Sequence, residues 1–180
     1  MANFETAYAW AQNSEDPANA HEIVLDPCPK GCALPHCYAI SGINSGAWPA
    51  EYAAIAALPQ DQRGPAVEAF YRAHFWYQWY EQLASDEVAK RVYDMAVNGG
   101  SGAAVEILQR AVNCGYCTSY IDELSVDGRW GPETVNTVNS CGDWLVAAFQ
   151  KARVAYYQAV AAANPDKEKY LAIWTARALR

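Results

Sequence analysis

The pattern of apolar positions is clearest between residues 88 and 113, where it has helical spacing on both sides of a glycine pair. Apolar residues repeat at i, i+3, i+4 and i+7 before Asn98 and again after Ser101, which predicts two amphipathic helices. Asn98-Gly99-Gly100 supplies the left-handed conformations that end a helix, and Ser101 can cap the second helix. The sequence therefore predicts a corner between two helices at this point.

Asp94 and Asn98 lie four residues apart, on one face of the first of these helices. The interpretation we favour is that the pair caps and ties the corner, because Asx side chains near helix ends usually satisfy backbone groups. The alternative is that Asn98 faces a substrate cleft and contacts the ligand.

A shorter apolar stripe opens the chain and predicts a first helix from Phe4 to Glu15. Asn3 is a good N-cap, and Pro17 requires the helix to have ended before it. Glu15 then stands at the helix C-terminus, where the negative end of the helix dipole disfavours a charged carboxylate. This placement favours the protonated form that a general acid needs. The alternative for Glu15 is an exposed loop carboxylate with no chemical role.

No helical period is visible between Asp16 and Gly46, and the segment is rich in Pro, Gly, Asn and Cys. Such a composition predicts an ordered loop or a short β-hairpin. Long structured loops often carry function. The candidates in this loop are the carboxylates of Glu22 and Asp26, and the polar side chains of His36, Tyr38 and Ser41, which could line a cleft.

The rest of the pattern predicts further helices and no parallel sheet, so the chain is expected to be mainly α. These helices are expected to begin near Trp48-Pro49, Pro65, Pro132, Asp143 and Asn164-Pro165. The helix after Pro65 is predicted to continue to Leu83, and aromatic residues, Tyr71 among them, surround most of it. Stacking on sugar faces would explain this surplus, and packing against a neighbouring lobe is the alternative. His74 on the same helix is expected to be structural.

Composition and charge narrow the class of protein. With 180 residues, the chain is long enough for one sizeable core. It is 52% hydrophobic, but no apolar run approaches the roughly 20 residues that span a bilayer, so no membrane insertion is expected. The formal net charge of -7 disfavours nucleic acid and anionic membranes as partners. We expect a soluble monomer, and no standard secretory signal is predicted.

Six cysteines form two clusters of three, namely Cys28, Cys32 and Cys37, and Cys114, Cys117 and Cys141. If all of them pair, at least one disulfide must join the clusters, because each cluster has an odd number. Disulfides would place the working protein in an oxidising compartment, the periplasm or the cell exterior. Zinc is the alternative, since the thiols and His36 have plausible ligand spacings. Disulfides are favoured because neither cluster completes the paired C-x2-C spacing of a zinc ribbon.

Three stretches in the second half of the chain carry a family pattern. They are VAKRVYDMAVNGGSGAAVEILQRAVN at 88–113, VDGRWGPETV at 126–135, and the set Arg153, Tyr156, Tyr157, Trp174 and Arg177. They resemble, in order, a VA-x-x-x-x-D-x-A-V-N-x-G segment with its LQ helix, a DG-x-x-G-P-x-T element, and a closing R-x-x-Y-Y with W-x-x-R. These are motifs of the N-acetylmuramidases of glycoside hydrolase family 108, which have a lysozyme-like helical fold.

The first half of the chain is similar to the same family over shorter pieces. The family's first helix leads into E-G-G-Y, whose Glu is the catalytic acid, and the helix predicted here ends on Glu15. Asp16-Pro17-Ala18 replaces the glycines and the tyrosine. The family's D-P-G-G-x-T-N-x-G-I is matched by Asp26-Pro27, Gly31 and residues 38–41, with cysteine-rich insertions between them.

The resemblance implies a lysozyme-like catalytic part over residues 1–84 and a helical peptidoglycan-binding-like part over 85–180, packed as one globular unit. The implied activity is hydrolysis of the β-1,4 bond between N-acetylmuramic acid and N-acetylglucosamine in peptidoglycan, in bacterial cell-wall lysis by a phage-type endolysin or secreted muramidase. The protein would then act on glycan strands in the periplasm or on the cell wall.

This reaction needs a carboxylic acid and a second carboxylate or polar group. Glu15 is the predicted acid, and Asp26 is the predicted second group, with Glu22 as its alternative. The predicted substrate contacts are Tyr38, Ser41, Tyr71 and Asn98. The reaction implies no metal and no organic cofactor.

Two other classes of protein stay open. A non-catalytic peptidoglycan-binding protein or a phage structural protein could keep this scaffold, because a fold does not imply one function. A zinc-dependent enzyme is disfavoured, because the sequence has no H-E-x-x-H motif.

Overall fold

The structure is a computed structural model that describes residues 1–115 and 123–180. The described residues are mainly helical, with one small antiparallel sheet, which confirms the predicted fold class. The chain divides into two compact units, an N-terminal unit of Tyr8–Trp76 and a C-terminal unit of Met1–Ala7 with Tyr77–Arg180. The boundary at residues 84 and 85 stays a prediction. No helix in the described parts has both the length and the hydropathy to cross a bilayer.

The N-terminal unit contains the greater part of helix α1 (Phe4–Glu15), a three-stranded sheet and two further helices. These elements are β1 (Ile23–Asp26), β2 (Cys37–Ile40), β3 (Ile43–Asn44), α2 (Pro49–Ala56) and α3 (Arg63–Phe75). Neighbouring strands are antiparallel, with Asp26 opposite Cys37 and Ile40 opposite Ile43. The segment predicted as a loop or hairpin is therefore a short meander of three strands.

A disulfide joins Cys28 to Cys37, so the residue two positions after β1 is bonded to the first residue of β2. This confirms disulfide formation in the first cysteine cluster. Cys32 has a free thiol, as do Cys114 and Cys141 among the described residues. Cys117 lies outside the described residues, so the bridge between the two clusters stays a prediction.

Aromatic side chains of α3 pack inside the N-terminal unit. The ring of Trp48, just before α2, lies 5.2 Å from the ring of Phe70 and 4.6 Å from that of His74. Phe75 lies 6.2 Å from the same Trp48 ring. Packing therefore accounts for this part of the aromatic surplus, and His74 has the structural surroundings expected of it.

The single helix predicted after Pro65 is interrupted in the structure. Helix α3 ends at Phe75, and α4 (Gln78–Glu81) begins only after two extended residues, Trp76 and Tyr77. The prediction of one continuous helix is wrong here. Neither Gly nor Pro marks the break, so the periodic aromatic pattern conceals it.

The C-terminal unit contains the predicted corner. Helix α5 (Asp86–Gly99) ends where Gly100 takes a φ of 92°, and α6 (Ser101–Cys114) begins with the next residue. Gly100 occupies the N-cap position of α6, so the predicted cap by Ser101 is wrong. The remaining elements are α7 (Pro132–Ser140), α8 (Trp144–Ala163), a 3₁₀ turn (Pro165–Tyr170) and α9 (Leu171–Leu179).

A buried cluster of charges ties α5 to α8 and α9. Asp94 is fully buried, and its carboxylate lies 2.7 Å from Arg153 Nη2. Arg177 donates to both oxygens of the same carboxylate, at 2.8 Å and 3.1 Å. Asp94 therefore joins three helices through long-range ion pairs, which corrects its predicted role as a cap at the corner.

Gln109 of α6 holds the turn at Asp127-Gly128. Its Oε1 accepts the backbone N–H groups of Asp127 and Gly128 at 3.1 Å and 3.0 Å, and its Nε2 donates to Asp127 Oδ1 at 2.9 Å. Gly128 has a φ of 69°, a conformation that glycine adopts with little strain. The LQ and DG-x-x-G-P motifs of the sequence thus meet in one hydrogen-bonded contact within the C-terminal unit.

Candidate active site

Glu15 is the last residue of α1, and its carboxylate packs against Gly42 in the turn between β2 and β3. A Cβ atom at Gly42 would lie 2.5 Å from Glu15 Oε2 and 2.8 Å from the Tyr71 hydroxyl oxygen. Gly42 also has a φ of 82°, in the left-handed region that favours glycine. Glycine is therefore required here both by the backbone and by the two polar groups that occupy the space beside it.

Tyr71 supports this turn from α3. Its side chain is only 2% exposed, and its hydroxyl donates to the Ser41 carbonyl oxygen at 2.6 Å. Its ring lies 5.8 Å from the ring of Tyr8 on α1. Burial, followed by the carboxylates of Glu68 and Asp16, raises the pKa of Tyr8 to about 12. The Tyr8 phenol therefore remains uncharged at neutral pH.

Asp16 follows Glu15 and anchors the loop that leads to β1. Its Oδ2 accepts the Ser41 hydroxyl at 2.7 Å and the His21 backbone N–H at 2.8 Å, while Oδ1 accepts the Ala20 N–H at 3.0 Å. Partial burial acts to raise the pKa of Asp16, but these hydrogen bonds outweigh it and hold the pKa below its usual value. Asp16 is therefore a structural carboxylate that stays ionised.

His21 completes this network, with its Nδ1 at 2.8 Å from Ser41 Oγ. Because the Ser41 hydroxyl donates to Asp16, it must accept a hydrogen from Nδ1. A nucleophilic triad needs the opposite arrangement, in which the histidine accepts the proton of the serine. Ser41 is also only 5% exposed. The three side chains therefore fix the loop against the Ser41-Gly42 turn, and serine nucleophile chemistry does not fit them.

Arg63, the first residue of α3, holds the other side of this loop. Its guanidinium donates to the carbonyl oxygens of His21 at 2.8 Å and Leu58 at 3.2 Å. Next to the loop is a surface cleft of about 570 Å³, lined by Asn19, Ala20, His21, Gln60, Asp61 and Gly64. The path from Glu15 to β1 is thus fixed by side-chain hydrogen bonds in place of regular secondary structure.

Asp26 is the last residue of β1, and its Oδ2 accepts a hydrogen bond from Asn44 Nδ2 at 2.6 Å. The Asn44 side chain also donates to the Pro27 carbonyl at 3.0 Å and accepts the Gly46 N–H at 2.8 Å. Asn44 follows Gly42 by two residues. The same short segment therefore meets Glu15 at one end and Asp26 at the other.

The remaining candidates from the sequence lie in different surroundings. Tyr38 is on β2, opposite Leu25, with its side chain 43% exposed. Glu22 is exposed and directly precedes β1. Asn98 belongs to the C-terminal unit, where its Oδ1 accepts the Tyr157 hydroxyl at 2.6 Å. The structure thus brings Glu15, Ser41 and Tyr71 together at one turn and joins Asp26 to it through Asn44.

Five residues of this neighbourhood were not singled out in the sequence, namely Asp16, His21, Gly42, Asn44 and Arg63. A signal for Gly42 was available, because Gly42-Ile43 matches the G-I that ends the family pattern D-P-G-G-x-T-N-x-G-I. No local signal exists for the contact of His21 with Ser41, since the two residues are 20 positions apart.

Comparisons with known proteins bear on both the fold and the C-terminal half. Residues 103–179 match a family model, PG_binding_3, described as a predicted peptidoglycan domain. The solved structure of SagA from Brucella abortus is similar, with a TM-score of 0.60 and 21% sequence identity over 98% of this chain and 93% of that chain. At this identity the similarity concerns the fold. No curated protein matches the chain.

The matched residues include α7, α8 and α9, the Asp127-Gly128 turn and most of α6. The chain is therefore a mainly helical, peptidoglycan-related protein, and its residues 103–179 are similar to a predicted peptidoglycan domain. Membership of glycoside hydrolase family 108 in particular stays a prediction.

Proposed function

We propose that this protein is a peptidoglycan hydrolase of the N-acetylmuramidase type, with Glu15 as its general acid. The observation that carries the proposal is the packing of the Glu15 carboxylate and the Tyr71 hydroxyl over Gly42, at the end of a helix and the turn of a small sheet. The general acid in this reaction is a carboxyl group that gives its proton to the leaving glycosidic oxygen. The match of residues 103–179 to a peptidoglycan domain supplies the substrate class.

In the proposed reaction, Glu15 protonates the glycosidic oxygen between N-acetylmuramic acid and N-acetylglucosamine as the bond breaks. The second carboxylate is Asp26, held by Asn44, and it stabilises the oxocarbenium-like transition state or directs a water molecule. Ser41 and Tyr71 are buried, so their proposed part is to hold the turn beside Glu15, while Tyr38 is exposed and available for sugar contact. The reaction needs no cofactor.

We further propose that the helical C-terminal half binds peptidoglycan, in line with its family match. Its motif residues Arg153, Tyr157 and Arg177 form internal contacts around Asp94 and Asn98, so they preserve the fold of this half. Asn98 therefore contributes to stability in this proposal, and substrate contact is its alternative role. The working protein would act on glycan strands in the periplasm or on the cell wall, as a monomer.

The test is Glu15→Gln with Glu22→Gln as the matched control, assayed by release of reducing ends from purified peptidoglycan. Glu15→Gln keeps the shape and hydrogen bonding of the side chain but removes the transferable proton, so activity should fall by about 100-fold or more. Glu22→Gln should stay near the parent rate. Parent-like activity of Glu15→Gln together with loss in Glu22→Gln would place the acid in the loop before β1 and reject the assignment of Glu15.

A second candidate function is non-catalytic peptidoglycan binding, because the family match covers a peptidoglycan domain and not the segment around Glu15. Purified sacculi separate the two candidates. A binding protein would sediment with the sacculi and release no reducing ends, whereas a muramidase would both bind them and release reducing ends.

A further inference from the structure

Three sulfur atoms of the N-terminal unit converge beside the end of β1. The Sγ atoms of Cys28, Cys32 and Cys37 all lie within 4.8 Å of one another. Cys32 Sγ is 3.7 Å from Cys37 Sγ, and Cys28 is bonded to Cys37. The disulfide uses only Cys28 and Cys37, so it does not explain why the Cys32 thiol lies beside them.

The separation of Cys32 from Cys37 fits a tetrahedral metal site. Zinc binds thiolate sulfur at about 2.3 Å in tetrahedral geometry, which puts two ligand sulfurs about 3.8 Å apart. The observed 3.7 Å agrees with that edge. Reduction of the Cys28–Cys37 bond would add two more thiols next to Cys32.

The backbone passes close to the sulfur atoms at Gly46, and two of the three cysteines line an open cleft. A Cβ atom at Gly46 would come within 2.9 Å of both Cys32 Sγ and Cys37 Sγ, so glycine is needed where the backbone passes the sulfurs. Cys28 and Cys37 line an open cleft of about 400 Å³, together with Asp26 and His36 among other residues. An ion held by three thiolates could therefore take a water molecule or the His36 side chain as its fourth ligand.

We propose that the reduced protein binds one zinc ion through the thiolates of Cys28, Cys32 and Cys37, and that the Cys28–Cys37 disulfide is the metal-free form of the same site. Zinc suits the site because thiolates are its preferred ligands and it has no redox chemistry of its own. The proposal is independent of the muramidase assignment.

The two forms interconvert with a balanced exchange of electrons. A phosphine reductant supplies two electrons to the Cys28–Cys37 bond, takes the oxygen of one water molecule and becomes a phosphine oxide, while the two hydrogens of that water yield two thiols. Zinc then displaces the thiol protons when it binds, since the ligands are thiolates. In the reverse direction, oxidised glutathione accepts the two electrons as the disulfide forms, and zinc is released.

The experiment is zinc titration of the full chain after phosphine reduction and anaerobic desalting, by competition with a chromophoric chelator. Cobalt(II) replaces zinc in a parallel titration, because thiolate-to-cobalt charge-transfer absorption reports sulfur ligation. Cys32→Ser is the test variant, since it leaves the Cys28–Cys37 pair intact. Cys141→Ser, in the C-terminal unit, is the matched control for thiols elsewhere in the chain.

At zinc concentrations that fill the site in the reduced parent, the parent should bind one more equivalent of zinc than Cys32→Ser. The affinity of the site for zinc should be lower in Cys32→Ser by more than about 100-fold. Loss of a residue that only supports a zinc ligand lowers the affinity by about 10- to 100-fold, so a larger loss indicates that Cys32 is itself a ligand. Cys141→Ser and the parent should bind zinc equally at this site, and the oxidised parent should lack it. Equal zinc uptake by the reduced parent and Cys32→Ser would overturn the proposal, as would no uptake at all or undiminished uptake by the oxidised parent. Circular dichroism melting of each oxidised variant verifies that it is folded, and Cys32→Ala repeats the test without a hydroxyl.

Discussion

Gly42→Ala is the substitution that tests the candidate site most directly, because it adds a single methyl group at the point where two polar side chains meet the turn. The new Cβ would lie 2.5 Å from Glu15 Oε2 and 2.8 Å from the Tyr71 hydroxyl. The backbone φ of 82° lies in the left-handed region, which alanine adopts with strain. The substitution therefore perturbs the backbone and the Glu15 carboxylate at the same time.

The size of both effects follows from the geometry. An alanine in the left-handed region costs about 1–2 kcal/mol, or roughly 2–8 °C in Tm for a chain of this length. An ordinary contact begins at 3.4 Å, so the Glu15 carboxylate at 2.5 Å must move by 0.9 Å to accommodate the methyl group. A misplacement of about 1 Å in a catalytic group lowers the rate by on the order of 100-fold. We therefore expect a moderate loss of stability and a large loss of activity.

Gly31→Ala is the matched control. Gly31 has a φ of 85°, so it carries the same backbone strain, but a Cβ atom there would have no atom within 4 Å. Both variants should lose stability in thermal melts, Gly42→Ala more so because the buried Tyr71 hydroxyl must also shift, while only Gly42→Ala should lose reducing-end release from peptidoglycan. Equal activities of the two variants would refute the idea that the packing of Glu15 on Gly42 sets the geometry of catalysis.

Three further predictions concern stability. Asp94→Asn should lower the free energy of unfolding by about 3–5 kcal/mol in urea titrations, because it leaves the buried Arg153 without its countercharge; a loss below about 1 kcal/mol would contradict the role given to this cluster. Asn98→Ala should lower the free energy of unfolding by about 1 kcal/mol with little change in activity. A double-mutant cycle with Tyr157→Phe should show coupling between the two side chains. A large loss of activity without a change in melting would instead favour Asn98 as a substrate contact. The pKa of Asp16 is lower in the folded state than its usual 3.8, so its stabilising contribution is complete above that value and is lost as the pH falls through the folded-state pKa. Asp16→Asn should therefore differ from the parent in urea midpoint at pH 7 and differ less in strong acid, and a gap that widens on acidification would show that the sign is wrong.

The sequence by itself determined the elements whose ends are marked by local chemistry. The first helix begins after its cap Asn3 and ends at Glu15, before Pro17, and the corner falls at Gly99-Gly100. Helix periodicity and turn residues are encoded within a few positions of the chain, so these features can be read from the sequence. The break after Phe75 could not be predicted, because no local residue marks it.

The tertiary structure alone decided which side chains meet. Glu15 and Gly42 come together across the loop and two strands, and the Ser41 hydroxyl reaches Asp16 across 25 positions. In the C-terminal unit, Asp94 contacts Arg177, which is 83 positions away in the sequence. Asp94 was predicted to cap a helix, but this contact makes it part of a buried ion pair. Such partners are selected by packing and by the need to satisfy buried polar groups, and neither leaves a periodic trace in the sequence. The position of Glu15 at the end of its helix was therefore readable from the sequence, whereas the turn that holds its side chain was visible only in the folded chain.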